Sequence, residues 1–200
     1  MGALRKGVTV LDEVLSEPRN QMMFGMMPGA MLYTGGRLKD LLSMMKHGPD
    51  PTKWGRSFGL PLKGQSGPGT YFSTAENPKD ALQEAYVWGR MANPAADDIA
   101  VASLKFPTKK IHRSEATFPL TADTVEGRNQ MMQARTQHVL DQVGKGYPAV
   151  QIGHEVVIPN PNAVRTRHMR IEGVPEISDP NIKKLLDTLT DAYTRVQKTP

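Results

Sequence analysis

Cysteine is absent from the 200 residues. Disulfides, thiolate metal sites and a cysteine nucleophile are thereby excluded, and a chain without thiols tolerates any redox compartment. Long apolar runs are missing too: none approaches the ~18 residues needed to cross a bilayer, so no membrane partner is expected. The opening stretch, MGALRKGVTVLDEVLSEPRN, carries Asp12 and Glu13 inside its apolar segment and does not read as a secretory signal peptide. The expectation is a soluble chain, cytoplasmic or delivered into a target cytoplasm. Blocks of one charge sign are lacking as well. The net charge is only +5, and no Lys/Arg run is long enough for an obvious nucleic-acid track. The densest basic patches, Lys109-Lys110 with His112-Arg113 and the trio Arg165, Arg167 and Arg170, read first as solvated faces, with a polyanionic partner as the alternative. The five His are scattered without metal-ligand spacing, so no metal is expected.

What is present fits one domain with short extensions: 38% hydrophobic and 22% charged residues are ordinary for a globular chain. Residues 1–30 read as a short amphipathic helix (Val10, Leu11, Val14, Leu15) and a Met-rich loop. The segment Met22–Met31 suits a buried loop or a protein partner, because Met adapts to irregular surfaces. Residues 31–175 form the expected main domain, and 176–200 a C-terminal amphipathic helix after Asp179-Pro180. Within the main domain, Met31–Tyr33 reads as a strand. Leu38, Leu41, Leu42 and Met45 mark a helix closed by Gly48-Pro49. A Gly/Pro-rich loop fills 48–69. A strand at Thr70–Ser73 precedes a helix opened by Asn77-Pro78, an N-cap followed by the residue favoured at N1. Further strands are expected at Ile99–Phe106, Ala149–Ile152, Glu155–Ile158 and Val164–Ile171, with a helix over Val125–Val143. Helices lie early and in the middle and strands cluster late, which points to an α+β fold.

Familiar nucleotide and metal signatures are also lacking: there is no Walker loop, no G-x-G-x-x-G after a strand and no H-E-x-x-H. Two local features could carry chemistry. Gly67-Pro68-Gly69 runs directly into Tyr71-Phe72, a turn that lets backbone approach a ligand beside an aromatic face. Taken alone, it reads more simply as a tight loop entering a core strand. Glu155 opens the apolar strand Glu-Val-Val-Ile, where a carboxylate at the lip of a buried strand suits electrostatic or general-base work. The plain alternative is an ordinary strand-edge acid.

Three separated segments, spanning residues 32–165, resemble the motifs of the ADP-ribosyltransferase superfamily in the right order. The flavour is that of its bacterial, bacteriophage and poly-ADP-ribose-polymerase-like members. Leu32-Tyr33-Thr34-Gly35-Gly36 with Leu41-Leu42-Ser43-Met44-Met45-Lys46-His47-Gly48 resembles the first motif. Gly69-Thr70-Tyr71-Phe72-Ser73-Thr74 followed by an Ala/Tyr helix resembles the second. Gly146-Tyr147-Pro148-Ala149-Val150 with Glu155-Val156-Val157-Ile158-Pro159 through Arg165 resembles the third.

The resemblance implies an ADP-ribosyltransferase-like split antiparallel β-sandwich with peripheral helices, holding NAD in a cleft. It implies mono-ADP-ribosyl transfer from NAD to a macromolecular acceptor, protein or nucleic acid, with NAD glycohydrolysis as a side reaction. Such an enzyme would be a toxin, an effector or a phage takeover factor. By the same resemblance Glu155 is the catalytic carboxylate, and Gly35 holds the nicotinamide carboxamide through its backbone. Tyr71 or Tyr86 stacks on the nicotinamide ring. Ser73, with Tyr33 and Thr34, completes the NAD-binding set, and a basic patch could meet the pyrophosphate. Two positions depart from the family pattern. Thr34 stands where His or Arg is usual, which puts catalysis in question, with Arg37 as a conceivable substitute. Gly153 stands where arginine-modifying members carry an acid or amide, which argues against arginine as acceptor. The competing readings are a catalytically silent binding module of this fold and a structural or interaction protein without an NAD site.

Overall fold

The computed structural model describes residues 29–53, 68–118, 124–177 and, apart from 182 and 185, 180–188. The expected N-terminal helix, most of the Met22–Met31 partner segment and most of the Gly/Pro-rich loop lie outside the described residues. So do Ile182, Leu185, Leu189 and Tyr193 of the C-terminal helix; its described positions are helical and Leu186 is buried.

Strand β1 spans Ala30–Arg37 and runs directly into helix α1, Leu38–His47. After β2 (Thr70–Ser73), helix α2 covers Pro78–Ala92. Strands β3 (Ile99–Phe106) and β4 (Ile111–Ser114) precede helix α3 (Val125–Gly144). Strands β5 (Ala149–Ile152), β6 (Glu155–Ile158) and β7 (Met169–Gly173) complete the set. The N-terminal signals act as expected. Asn77 Oδ1 accepts from the Lys79 N–H at 3.1 Å, and Thr124 Oγ1 accepts from the Gly127 N–H at 3.0 Å, each satisfying a donor that the first helical turn would otherwise strand.

The strands build one seven-stranded sheet in the order β4-β5-β6-β2-β1-β3-β7. Helices and strands are mixed, as an α+β chain requires. β4 runs parallel to β5, with α3 as the crossover between them, while the other pairs are antiparallel. β1 pairs along its whole length with β3, yet meets β2 at the single position Tyr33↔Ser73. Beyond that point residues 34–37 and 70–72 diverge, and β2 pairs instead with β6. The sheet is therefore two strips, β4-β5-β6-β2 and β1-β3-β7, joined at one register pair.

Alternation of side chains fixes the two faces. Leu32, Phe72, Ala102, Leu104, Val156 and Ile158 form the main core with Leu41 of α1. On the opposite face α2 covers the β1-β3 strip through Tyr33, Ala81, Ala85 and Val101. α3 covers the other strip on that same face through Val139, Val150 and Val157, with Tyr71 packed alongside.

Two expectations change. Val164–Ile171 is not one strand: 3-10 turns at Pro161–Ala163 and Thr166–His168 precede β7 at Met169. Asn160 starts that irregular course by accepting from the Asn162 N–H at 2.9 Å, a local side-chain bond that competes with sheet pairing. β1 is longer than Met31–Tyr33, because β3 pairs with every residue from Ala30 to Arg37.

Candidate functional site

The first, second and third sequence motifs come together on adjacent strands. Tyr33 of β1 lies opposite Ser73 of β2, and Ser73 lies opposite Glu155 of β6. All three point to the face shared by α2 and α3. Tyr33 also pairs with Ser103 of β3, so a polar line runs across the otherwise apolar sheet. Its outer end is closed by Glu172 of β7, whose carboxylate accepts the Ser103 hydroxyl. Burial first, and then the nearby Glu172 carboxylate, hold the Tyr33 phenol above its ordinary pKa, because both disfavour the phenolate.

Glu155 is partly sunk in this face. Arg135 of α3 donates from Nη2 to Glu155 Oε1 at 2.8 Å, with the two side chains 14% and 24% exposed. A charge-assisted contact of that length orients the carboxylate within the groove between α2 and α3. Across the rim His154, from the β5–β6 turn, approaches Glu84 of α2 at 3.7 Å. Tyr86 packs against the Tyr33 cluster under α2. Tyr71 shares the face of Ser73 and Glu155 and leans on the α3 cluster.

Thr34 is not brought into this group. Strand alternation turns it to the α1 side with Leu32, opposite to Tyr33 and Glu155. Arg37 does not stand in for it, since its guanidinium engages Asp98 at 3.3 Å. Gly35 has a packing reason to be glycine: a Cβ there would lie 1.9 Å from the Ala85 carbonyl oxygen of α2. Its α2-facing side is thus closed, and only the in-plane edge of β1 remains to meet a ligand. Gly153 adopts φ 60° in the two-residue turn joining β5 to β6, a conformation that accounts for glycine on backbone grounds alone.

Sequence reasoning missed Arg135, Ser103 and Glu172. Arg135 is one basic residue on a long polar helix, 20 positions from its carboxylate partner, and nothing local marks it. Ser103 sits in the apolar run Ile99–Phe106, where a completely buried hydroxyl was the available signal, since such a group needs a partner.

A cavity among the described residues lies elsewhere, at the far end of β6, and is lined by the ends of β3, the turn before β4 and the 160–168 connection. No group of His, Asp and Glu among the described residues could hold a metal ion, and no described helix is long and apolar enough to cross a membrane. Comparison of the chain with protein-family models, curated proteins and solved structures finds no match.

Proposed function

We propose that the chain is an NAD-dependent mono-ADP-ribosyltransferase whose catalytic carboxylate is Glu155. The supporting observation is convergence: strands that carry the three family-like motifs are neighbours, with Tyr33, Ser73 and Glu155 in one cross-strand line where β1 and β2 part. Where β1 and β2 part, a planar amide can meet the backbone edge of β1, and Tyr71 and Tyr86 supply aromatic faces on the same side. The closed flank of Gly35 limits the nicotinamide to that edge, so Gly35 serves through its backbone.

In the reaction the bond between ribose C1′ and the nicotinamide nitrogen breaks, and its electron pair leaves with nicotinamide. A lone pair on the acceptor forms the new bond to C1′, and the acceptor's proton passes to solvent or to a neighbouring base. Water as acceptor gives NAD hydrolysis. Glu155 stabilises the positive charge that develops on the ribose, and Arg135 holds the carboxylate in place. Preorganised stabilisation of this kind contributes roughly 10²–10³ in rate.

A second reading, a silent binding module of the same fold, draws on two observations: the Arg135 guanidinium already occupies one oxygen of Glu155, and Thr34 faces away. Nicotinamide release from NAD separates the two. In the enzyme, Glu155→Ala lowers release by about 10²–10³ at unchanged folding. Absence of release from the wild type, with NAD still raising the melting temperature, selects the module. Absence of both removes NAD from the account.

A further inference from the structure

The cavity at the far end of β6 has a volume of about 220 Å³. It takes one residue from each of the two basic patches that stand more than fifty positions apart in sequence: Lys110, with Lys105 beside it, and Arg165. Asn160 and Asn162 complete the polar wall, Leu104, Phe106 and Pro148 the apolar one, and among the described residues no carboxylate lines it. Asn160 Oδ1 is already taken by the Asn162 N–H, so its side chain offers N–H donors to a ligand. The geometry points to a second ligand site here, a pocket for the phosphate group of a small phosphate ester.

Three features choose that class. A guanidinium, ammonium groups and side-chain amides lining one concavity match a phosphate's charge and its ring of acceptor oxygens. The volume is below the roughly 300–1,000 Å³ of sites that enclose a whole drug-sized ligand, so it admits the phosphate while the organic part stays at the mouth. Lys105, Lys110 and Arg165 line one concavity, whereas a nucleic-acid backbone needs cations strung along an extended track. His168, 5% exposed, forms part of the wall. Its pKa is held down by burial, then by Arg167 and Arg165, the latter also lining the pocket.

The pocket is separate from the Glu155 groove. Leu104 and Phe106 belong to the core on the α1 face, and β6 alone puts about 10 Å between Glu155 and its own far end. The pocket and the NAD reading therefore stand or fall independently.

Titration of the full chain with adenosine monophosphate and with inorganic phosphate, against chloride at matched ionic strength, tests the site. The readouts are binding heat and the NMR signals of the His168 ring and the Asn162 side chain. The ester is expected to bind at least as tightly as the inorganic ion and to shift both signals. Arg165→Gln and Lys110→Gln should each weaken it by about tenfold, with melting temperatures confirming the fold. Asn162→Asp, which places a carboxylate at the wall, should abolish binding. Wild-type affinity in all three variants, an equal response to chloride, or binding of the inorganic ion with exclusion of the ester would overturn the assignment.

Discussion

Gly35 and Gly89 show how closely β1 and α2 approach. A Cβ on Gly35 would reach the Ala85 carbonyl oxygen, and one on Gly89 would lie 2.8 Å from the Gly35 carbonyl carbon. Backbone meets backbone there, with no flexible side chain to give way. Gly35→Ala is therefore expected to destabilise the fold by about 3 kcal/mol or more, read as a shift in the urea midpoint. Gly36→Ala is its control, because a Cβ there would meet only Leu41 side-chain atoms at ordinary contact distances, 3.7 and 3.8 Å. The adjacent pair Gly35-Gly36 thus contains two different residues physically, one indispensable to packing and one not. Sequence reasoning assigned Gly35 to ligand contact; close helix packing explains the same residue, and no local pattern distinguishes the two roles.

At the scale of elements, legibility followed the strength of local signals. Asn77-Pro78 announced α2 because capping chemistry is local, and Asn77→Ala should cost about 1 kcal/mol, lowering the melting temperature by about 2–4 °C for a chain of this size. Thr124→Ala should behave similarly at the start of α3. The strands β2, β3, β5 and β6 were legible from apolar runs closed by Gly, Pro or polar residues. β4 was not. Ile-His-Arg-Ser buries only its first side chain, and its place at the sheet edge comes from a parallel pairing with β5 across α3, a long-range fact without local trace. The connection at 160–168 misled in the opposite sense. Val164, Met169 and Ile171 are all buried, so the stretch reads as a strand, but 3-10 turns deliver Val164 to the core. Of the candidate site, the carboxylate and its strand neighbours were visible in the motifs, and the guanidinium that holds it was not.

For the whole molecule, pH acts through two histidines on different elements. Burial, then Arg167 and Arg165, lower the pKa of His168. Burial, then His112, lower that of His138 against an opposing pull from Asp141, with Lys145 adding a smaller lowering effect. His138 Nε2 is buried without a hydrogen-bond partner among the described residues, so its protonation would strand an N–H there. Both groups bind protons more tightly in the unfolded chain, where the pKa is near 6.5. Stability is therefore full above that value and is lost as pH falls through it toward the lower folded pKa values. Melting temperature should drop between about pH 7.5 and about pH 5.5, and His168→Gln should flatten the slope. A melting temperature that rises on acidification would contradict the assigned directions.

The single register pair between β1 and β2 bears on how the protein opens. Each strip has its own helix on the α2/α3 face, and the pairing that would bind the strips edge to edge is confined to Tyr33 and Ser73. Cooperative units in proteins follow such boundaries. Amide exchange with deuterium should accordingly report two protection classes, with the β1-β3 amides forming one and the β2-β6 amides the other. The sparsest strand pairing of the described sheet coincides with the wedge beside Glu155, so a molecule entering there would act as a wedge and a clasp together, reaching both strips and making them exchange as one.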